Sequence, residues 1–204
     1  MNCITYKEVF PLIKENKVWL GVPFPSGNAY FRPIAKNNYS AGVYDKKEDL
    51  VKFRNCIWLT NVDHGRRHEP LPLMTMADNL RFSKHKELKG KTAYDRYDNY
   101  DAIEVPFTDA IPSDYDGVMG VPISFLNKYC PSQFEILGMC ENEDLYSMKT
   151  RVYTTYECKT AYLKKFGKAG TYDLNASGVI TRNGIQEKVY QRILIINRKF
   201  MPNS

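Results

Sequence analysis

The run Asp63-His64-Gly65-Arg66-Arg67-His68-Glu69 gathers seven side chains or hinge positions of chemical interest into one short segment. His64 and His68 are four apart, a spacing that would offer two metal ligands on one face of a helix. Gly65 weakens such a helix and no third ligand follows at a suitable distance, so no metal site is expected. Arg66 and Arg67 suit a different chemistry, because a guanidinium can hold a phosphate or read guanine through two parallel hydrogen bonds. With His64 they open a basic stretch that continues through Arg81, Lys84, Lys86, Lys89 and Lys91, whose charges could track a nucleic-acid backbone. A solvated, charged surface is the even alternative for this stretch.

Two further groups invite a reading. Asp98, Asp101, Glu104, Asp114 and Asp116 could form the acidic cluster of a nuclease, but Gly117, Gly120 and Pro122 beside them indicate turns that aspartates stabilise locally. Tyr94, Tyr97 and Tyr100 recur at a spacing of three; they could stack on bases, yet packing against the protein is the favoured reading.

Composition sets outer bounds. The chain has 204 residues, 43% hydrophobic and 25% charged, with a formal net charge of +6. That describes a folded, soluble chain with room for one ordinary domain, or for one domain with a small appendage, and it suits an anionic partner without requiring one. No apolar run approaches the roughly 18 residues of a membrane span, and Lys7, Glu8, Lys14, Glu15 and Lys17 interrupt the first twenty residues. A cytoplasmic protein without membrane contact is expected. Five cysteines, Cys3, Cys56, Cys130, Cys140 and Cys158, contain no CxxC pair and predict free, mostly buried thiols.

The elements that must position these groups are mixed α and β. Thr5, with Glu8 as its capping-box partner, predicts a helix over 5–16, with Pro11 in its first two turns. Residues 17–22 and 53–62 read as strands, the second with a composition suited to a sheet interior. Residues 24–49 read as a loop with a short hairpin over 39–44, and 63–100 as a polar surface stretch. Strands are expected at 102–105, 134–139, 178–180 and 188–197, with an Asn183-Gly184 turn after the third. Residues 123–129 suit one or two helical turns, and 148–165 a helix.

Three blocks, taken together, carry a resemblance. They are Asn55-Cys56-Ile57-Trp58-Leu59-Thr60-Asn61-Val62-Asp63-His64 with Arg67 and His68; Tyr97-Asp98-Asn99-Tyr100-Asp101-Ala102-Ile103-Glu104-Val105; and Ile111-Pro112 with Asp114 through Leu126. In order and spacing they resemble the later half of EcoRI-type adenine-specific DNA methyltransferases, as do Ile4 through Lys14 and Trp19-Leu20-Gly21. In that family S-adenosylmethionine lies over a doubly wound sheet and an Asn-Pro-Pro-Phe motif contacts the target adenine. This sequence contains no Asn-Pro-Pro or Asp-Pro-Pro, and no glycine-rich strand-to-helix turn precedes the matching blocks. No catalytic residue can be carried over.

The resemblance therefore implies a partial methyltransferase-like sheet, its last strands and a helix, over residues 1–65, with Trp19 and Trp58 on those strands. A carboxy-terminal α+β recognition-like region is implied over 66–204, with one continuous domain as the alternative. The expected function is that of the carboxy-terminal part of an adenine-N6 methyltransferase of a restriction-modification type, with no cofactor in this chain alone and no activity alone. The alternative is a non-catalytic DNA-binding or interaction module that completes a separately encoded half. Expected partners are duplex DNA, an amino-terminal half, or a second copy joined through a strand edge near 18–22 or 55–62.

Overall fold

A computed structural model describes residues 3–22, 28–32, 43–45, 47–53 and 57–201. The chain divides into two compact units, Met1–Gly65 and Arg66–Ser204.

In the first unit Pro11 decides where the opening helix begins. Proline has no N–H to give a preceding turn and its fixed φ suits a helix start, so α1 spans only Phe10–Lys14, with Pro11 in its first turn. The expected helix over 5–16 is thus too long. Thr5 instead ends a 3-10 turn, Cys3–Thr5, and the α1 cap is Val9, with no side-chain cap bond. Asn16, at φ 54°, turns the chain out of the helix. Ile4, Phe10 and Ile13 are the unit's buried anchors.

Beyond α1, β1 (Trp19–Leu20), β2 (Ala29–Phe31), β3 (Val43–Asp45), β4 (Leu50–Phe53) and β5 (Leu59–Thr60) make two small antiparallel sheets. In one, Trp19 pairs with Thr60 and Leu20 with Leu59; in the other β4 lies between β2 and β3. These pairings correct two expectations. The segment read as a loop contains β2 and β3, although residues 39–42 of its expected hairpin lie outside the described residues. The single strand over 53–62 is divided: Phe53 pairs with Ala29, residues 54–56 (Cys56 included) lie outside the described residues, and only Leu59 and Thr60 form a ladder again. A two-stranded sheet cannot cover both of its faces, so Trp58 is 56% exposed and Val62 70%, unlike the interior strand expected here.

The second unit is organised around the most apolar strand of the chain. Its elements are α2 (Met76–Phe82), β6 (Ala102–Glu104), β7 (Val118–Pro122), β8 (Phe134–Met139), α3 (Thr155–Phe166), β9 (Val179–Arg182), β10 (Ile185–Lys188) and β11 (Arg192–Asn197). Four strands pair in the order β6-β7-β11-β8, with β6 and β7 parallel and the other pairs antiparallel. Ile193, Leu194 and Ile195 of β11 are fully buried on both faces, which is why that strand lacks polar alternation. Ile123–Lys128 forms a 3-10 turn where helical turns were expected.

β9 and β10 form a hairpin whose turn residues Asn183 and Gly184 both have positive φ, 52° and 72°, as a tight primed turn requires. The helix expected over 148–165 starts later, because the capping box is Thr154 with Glu157. It ends at Gly167, whose left-handed φ of 66° closes the last turn. The polar stretch after Asp63 is not all surface either: α2 lies within it, and Leu71, Asn79, Leu88, Tyr94, Tyr97 and Tyr100 are buried. The three tyrosines pack, as favoured from their spacing.

Candidate nucleic-acid interface

Charge in the second unit falls into two kinds of environment, and the distinction identifies the candidate surface. The first kind is internal. Arg192 sets its guanidinium against both Glu104 carboxylate oxygens, with Nη2 to Oε1 at 2.6 Å, and both side chains are at least nine-tenths buried. Tyr97 donates its hydroxyl to the same carboxylate. Burial first, then the neighbouring Glu104 charge, pushes the Tyr97 hydroxyl well above its ordinary range. The Tyr97 ring lies against Gly120 and Gly178, where a side chain would collide with it. Cys140, packed in the same cluster, is likewise held as a thiol, chiefly by burial.

Asp95 anchors a second internal set, accepting from Lys91 at 2.6 Å and from Arg182 at 2.6 Å. Burial pushes its carboxyl upward, but the hydrogen bonds from Lys91 and Arg182 outweigh this and hold it below its ordinary value. Lys91, one of the expected backbone-tracking lysines, is therefore committed within the protein.

Three other acidic residues from the sequence reading are also occupied within the protein. Asp98 accepts from Thr181, Asp101 from Arg96, and Asp114 from the backbone N–H of Met76. They do not converge, and no group of three or more His, Cys, Asp or Glu among the described residues is placed to hold a metal ion.

The second kind of environment is outward. Residues 83–91 form a loop fixed from beneath: Leu88 is buried, and His85 stacks on Phe107 with ring centroids 3.6 Å apart while bonding Asp109 at 3.1 Å. Backbone N–H groups of Leu88 and Lys89 donate to the His85 carbonyl, and Gly90 supplies a positive φ of 80° that re-aims the chain. On this clamped loop Lys84, Lys86 and Lys89 are exposed and make no ion pair with a described residue. Arg81, in the last turn of α2, lies over the Phe82 ring at 5.0 Å. The arrangement can present cations to a polyanion without first breaking an internal pair.

The other expected residues are placed as follows. Gly65–His68 is a 3-10 turn and not an α-helix, so His64 and His68 lack the one-turn relation a metal pair would need. In the first unit His64 donates Nε2–H to the Leu20 carbonyl at 2.9 Å, and its Nδ1 is buried. In the second unit Arg66 lines a cleft of about 450 Å³ with Pro70, Pro72, Asn127 and Lys128, and Arg67 is half-buried. Sequence reasoning passed over Lys159, Lys164 and Lys168, which are exposed on or just beyond α3. The first two fall within the helix expected over 148–165, and the Thr154-x-x-Glu157 capping box was the signal that would have fixed where it starts.

The only parallel strand pair among the described residues, β6 and β7, is joined through Pro106, the 3-10 turn Thr108–Ala110 and Pro112. No glycine-rich turn opening an α-helix follows β6, so this connection lacks the cradle in which open α/β sheets hold a nucleotide-like donor. No helix of the described residues is long and apolar enough to cross a membrane.

Comparison with known proteins places this architecture. Over 149 residues the chain is 45% identical to the type II methyltransferase M.EcoRI of Escherichia coli, a match covering 71% of this chain and 42% of that protein. It is 31% identical over 160 residues to a type II methyltransferase of Mycoplasma genitalium, covering 74% of this chain and 46% of the relative. For M.MpnI of Mycoplasma pneumoniae the identity is 30% over 163 residues, with the same two shares. The matches thus span less than half the length of these relatives, and no solved structure matches. The family described as adenine-specific methyltransferase EcoRI is matched over residues 1–199, nearly the whole chain, and to that family the chain belongs.

Proposed function

We propose that this chain is the carboxy-terminal, DNA-contacting portion of an adenine-N6 methyltransferase of the restriction-modification type, and that it does not transfer methyl groups alone. The first unit then corresponds to the last strands and a helix of the methyltransferase sheet, and the second to the recognition region. The observation that carries the reading is the clamped 83–91 loop, which turns Lys84, Lys86 and Lys89 outward while Lys91 is retained inside. Arg66, Arg67 and Arg81 complete the proposed DNA-contacting set; His64, bonded to the Leu20 carbonyl within the first unit, is left out of it.

Methylation of an exocyclic adenine amine requires a pocket for the extruded base and a donor held against it. The sequence has no Asn-Pro-Pro or Asp-Pro-Pro, and the β6–β7 connection offers no donor cradle. S-adenosylmethionine is accordingly assigned to the intact family and not to these residues. The test is an anisotropy titration with duplex DNA at two salt concentrations, with and without S-adenosylmethionine, beside a methyl-transfer assay. Binding that weakens with salt and ignores the donor, with no transfer, is the expected result. Transfer by the purified chain overturns the claim of inactivity.

A second reading has its own observation. Val22, Trp58 and Val62 expose apolar surface around the short β1–β5 ladder, 47%, 56% and 70% respectively. This suits docking of a separately encoded methyltransferase half, or of a second copy, beside that ladder. Sedimentation of the chain as a monomer at high concentration would remove the second-copy version.

A further inference from the structure

The outward face of α3 makes a surface the sequence reading did not reach. Around the helix, Cys158, Ala161 and Tyr162 point inward: Cys158 and Ala161 pack with Tyr153, Leu174 and Val179, and Tyr162 meets Tyr172, while the exposed Lys165 beside them pairs with Glu187. The opposite stripe carries Tyr156, Lys159, Leu163 and Lys164. Tyr156 is 78% exposed and Leu163 53%, and neither lysine makes an ion pair with a described residue. The helix's one carboxylate, Glu157, is taken up by the Thr154 cap and by Arg151, so the stripe itself carries no negative charge.

We propose that this face of α3 seats against a groove of duplex DNA, with Lys159 and Lys164 on phosphates and Tyr156 and Leu163 against the groove wall. The proposal rests on the reading above that the chain contacts DNA, and it names an element for that contact. From Tyr156 to Lys164 the stripe is about 12 Å long at a helix rise of 1.5 Å per residue, close to the width of the major groove. Two apolar side chains flanked by cations match a wall of sugar and base edge bordered by phosphate. A membrane-lying helix needs a continuous apolar face, and α3 has already buried its own against the protein. The capping box and Gly167 fix both ends of the helix, so the stripe is presented without prior ordering.

The test uses the full chain and a labelled duplex of mixed sequence, followed by anisotropy across a salt series. Lys159→Ala combined with Lys164→Ala is expected to weaken binding about tenfold at low salt and to flatten the slope of log affinity against log salt by about two, since each phosphate contact contributes roughly 0.9. Tyr156→Ala combined with Leu163→Ala is expected to weaken binding with the slope unchanged. Lys159→Gln with Lys164→Gln provides a second charge-free pair should the alanine variant lose its circular dichroism spectrum. If both charge-free pairs bind like the parent while the parent binds DNA in a salt-sensitive way, the inference about α3 is overturned and the DNA reading stands. If the parent shows no such binding, both fall. Binding of the parent to phosphatidylserine vesicles that the same variants lose, with DNA binding retained, assigns the face to lipid and also overturns it.

Discussion

The Glu104–Arg192 pair and the 83–91 loop use the same kinds of charged side chain for opposite purposes. Glu104 and Arg192 are nearly buried, the guanidinium donates to the carboxylate, and the Tyr97 hydroxyl completes the set of donors. On the loop Lys84, Lys86 and Lys89 stay exposed, and what is fixed lies beneath them: Leu88, the His85–Phe107 stack and the His85–Asp109 contact. A charge with an internal partner is architecture; a charge held outward by an anchor that does not pair with it is available to something else. Lys91 falls in the first class through Asp95, four residues away, although it stands next to the second in sequence.

The contrast can be broken most sharply at its buried end. Arg192→Ala should cost about 3–5 kcal/mol by leaving the nearly buried Glu104 carboxylate without its cationic partner, with only the Tyr97 hydroxyl donating to it, read as a fall in the urea midpoint. Replacing both residues with apolar ones of similar volume should cost much less, because no charge is then left unpaired; equal losses in the two proteins would contradict the account. Gly120→Ala comes next, at about 1–3 kcal/mol, because the added methyl meets the Tyr97 ring.

Asp95→Asn should cost about 1 kcal/mol, its half-screened partners Lys91 and Arg182 having lost their shared carboxylate. The sign with pH follows from the lowered carboxyl. Its contribution is fully present above the unfolded value of about 3.9 and disappears as pH falls through the lower folded value. Urea unfolding of the parent and the Asn variant should therefore converge toward acid. Last, Lys84→Ala with Lys86→Ala should change stability by no more than about 0.5 kcal/mol while reducing the salt slope of DNA binding by about two. A changed midpoint with unchanged DNA binding would place these lysines in the architectural class instead.

The legibility of the chain in its sequence follows the same division. β8 and β11 were readable because a covered strand must be apolar, and the Asn183-Gly184 turn because few residue pairs accept two positive φ values. The tyrosines at 94, 97 and 100 declared themselves as packing groups. What was hidden depended on partners distant in sequence. In the sequence only Asp95, four residues on, separates Lys91 from Lys89, and the approach of Arg182, distant in sequence, completes the use of that carboxylate. Residues 53–62 looked like an interior strand because composition reports the apolar content of a segment, not the length of the strand available to pair with it. The helix α1 was misplaced for a different reason: the capping-box pattern at Thr5 was given precedence over Pro11, whose covalent constraint is the stronger.

The buried thiols give the fold an internal clock. Alkylating reagents and oxidants attack the thiolate, and Cys140 is both shielded from them and held protonated at the centre of the second unit. Cys130 and Cys158 are equally enclosed, while Cys3 is partly accessible. Modification of Cys140 should then wait for the opening of the sheet itself, so its labelling rate, followed by mass spectrometry, measures how often that region breathes.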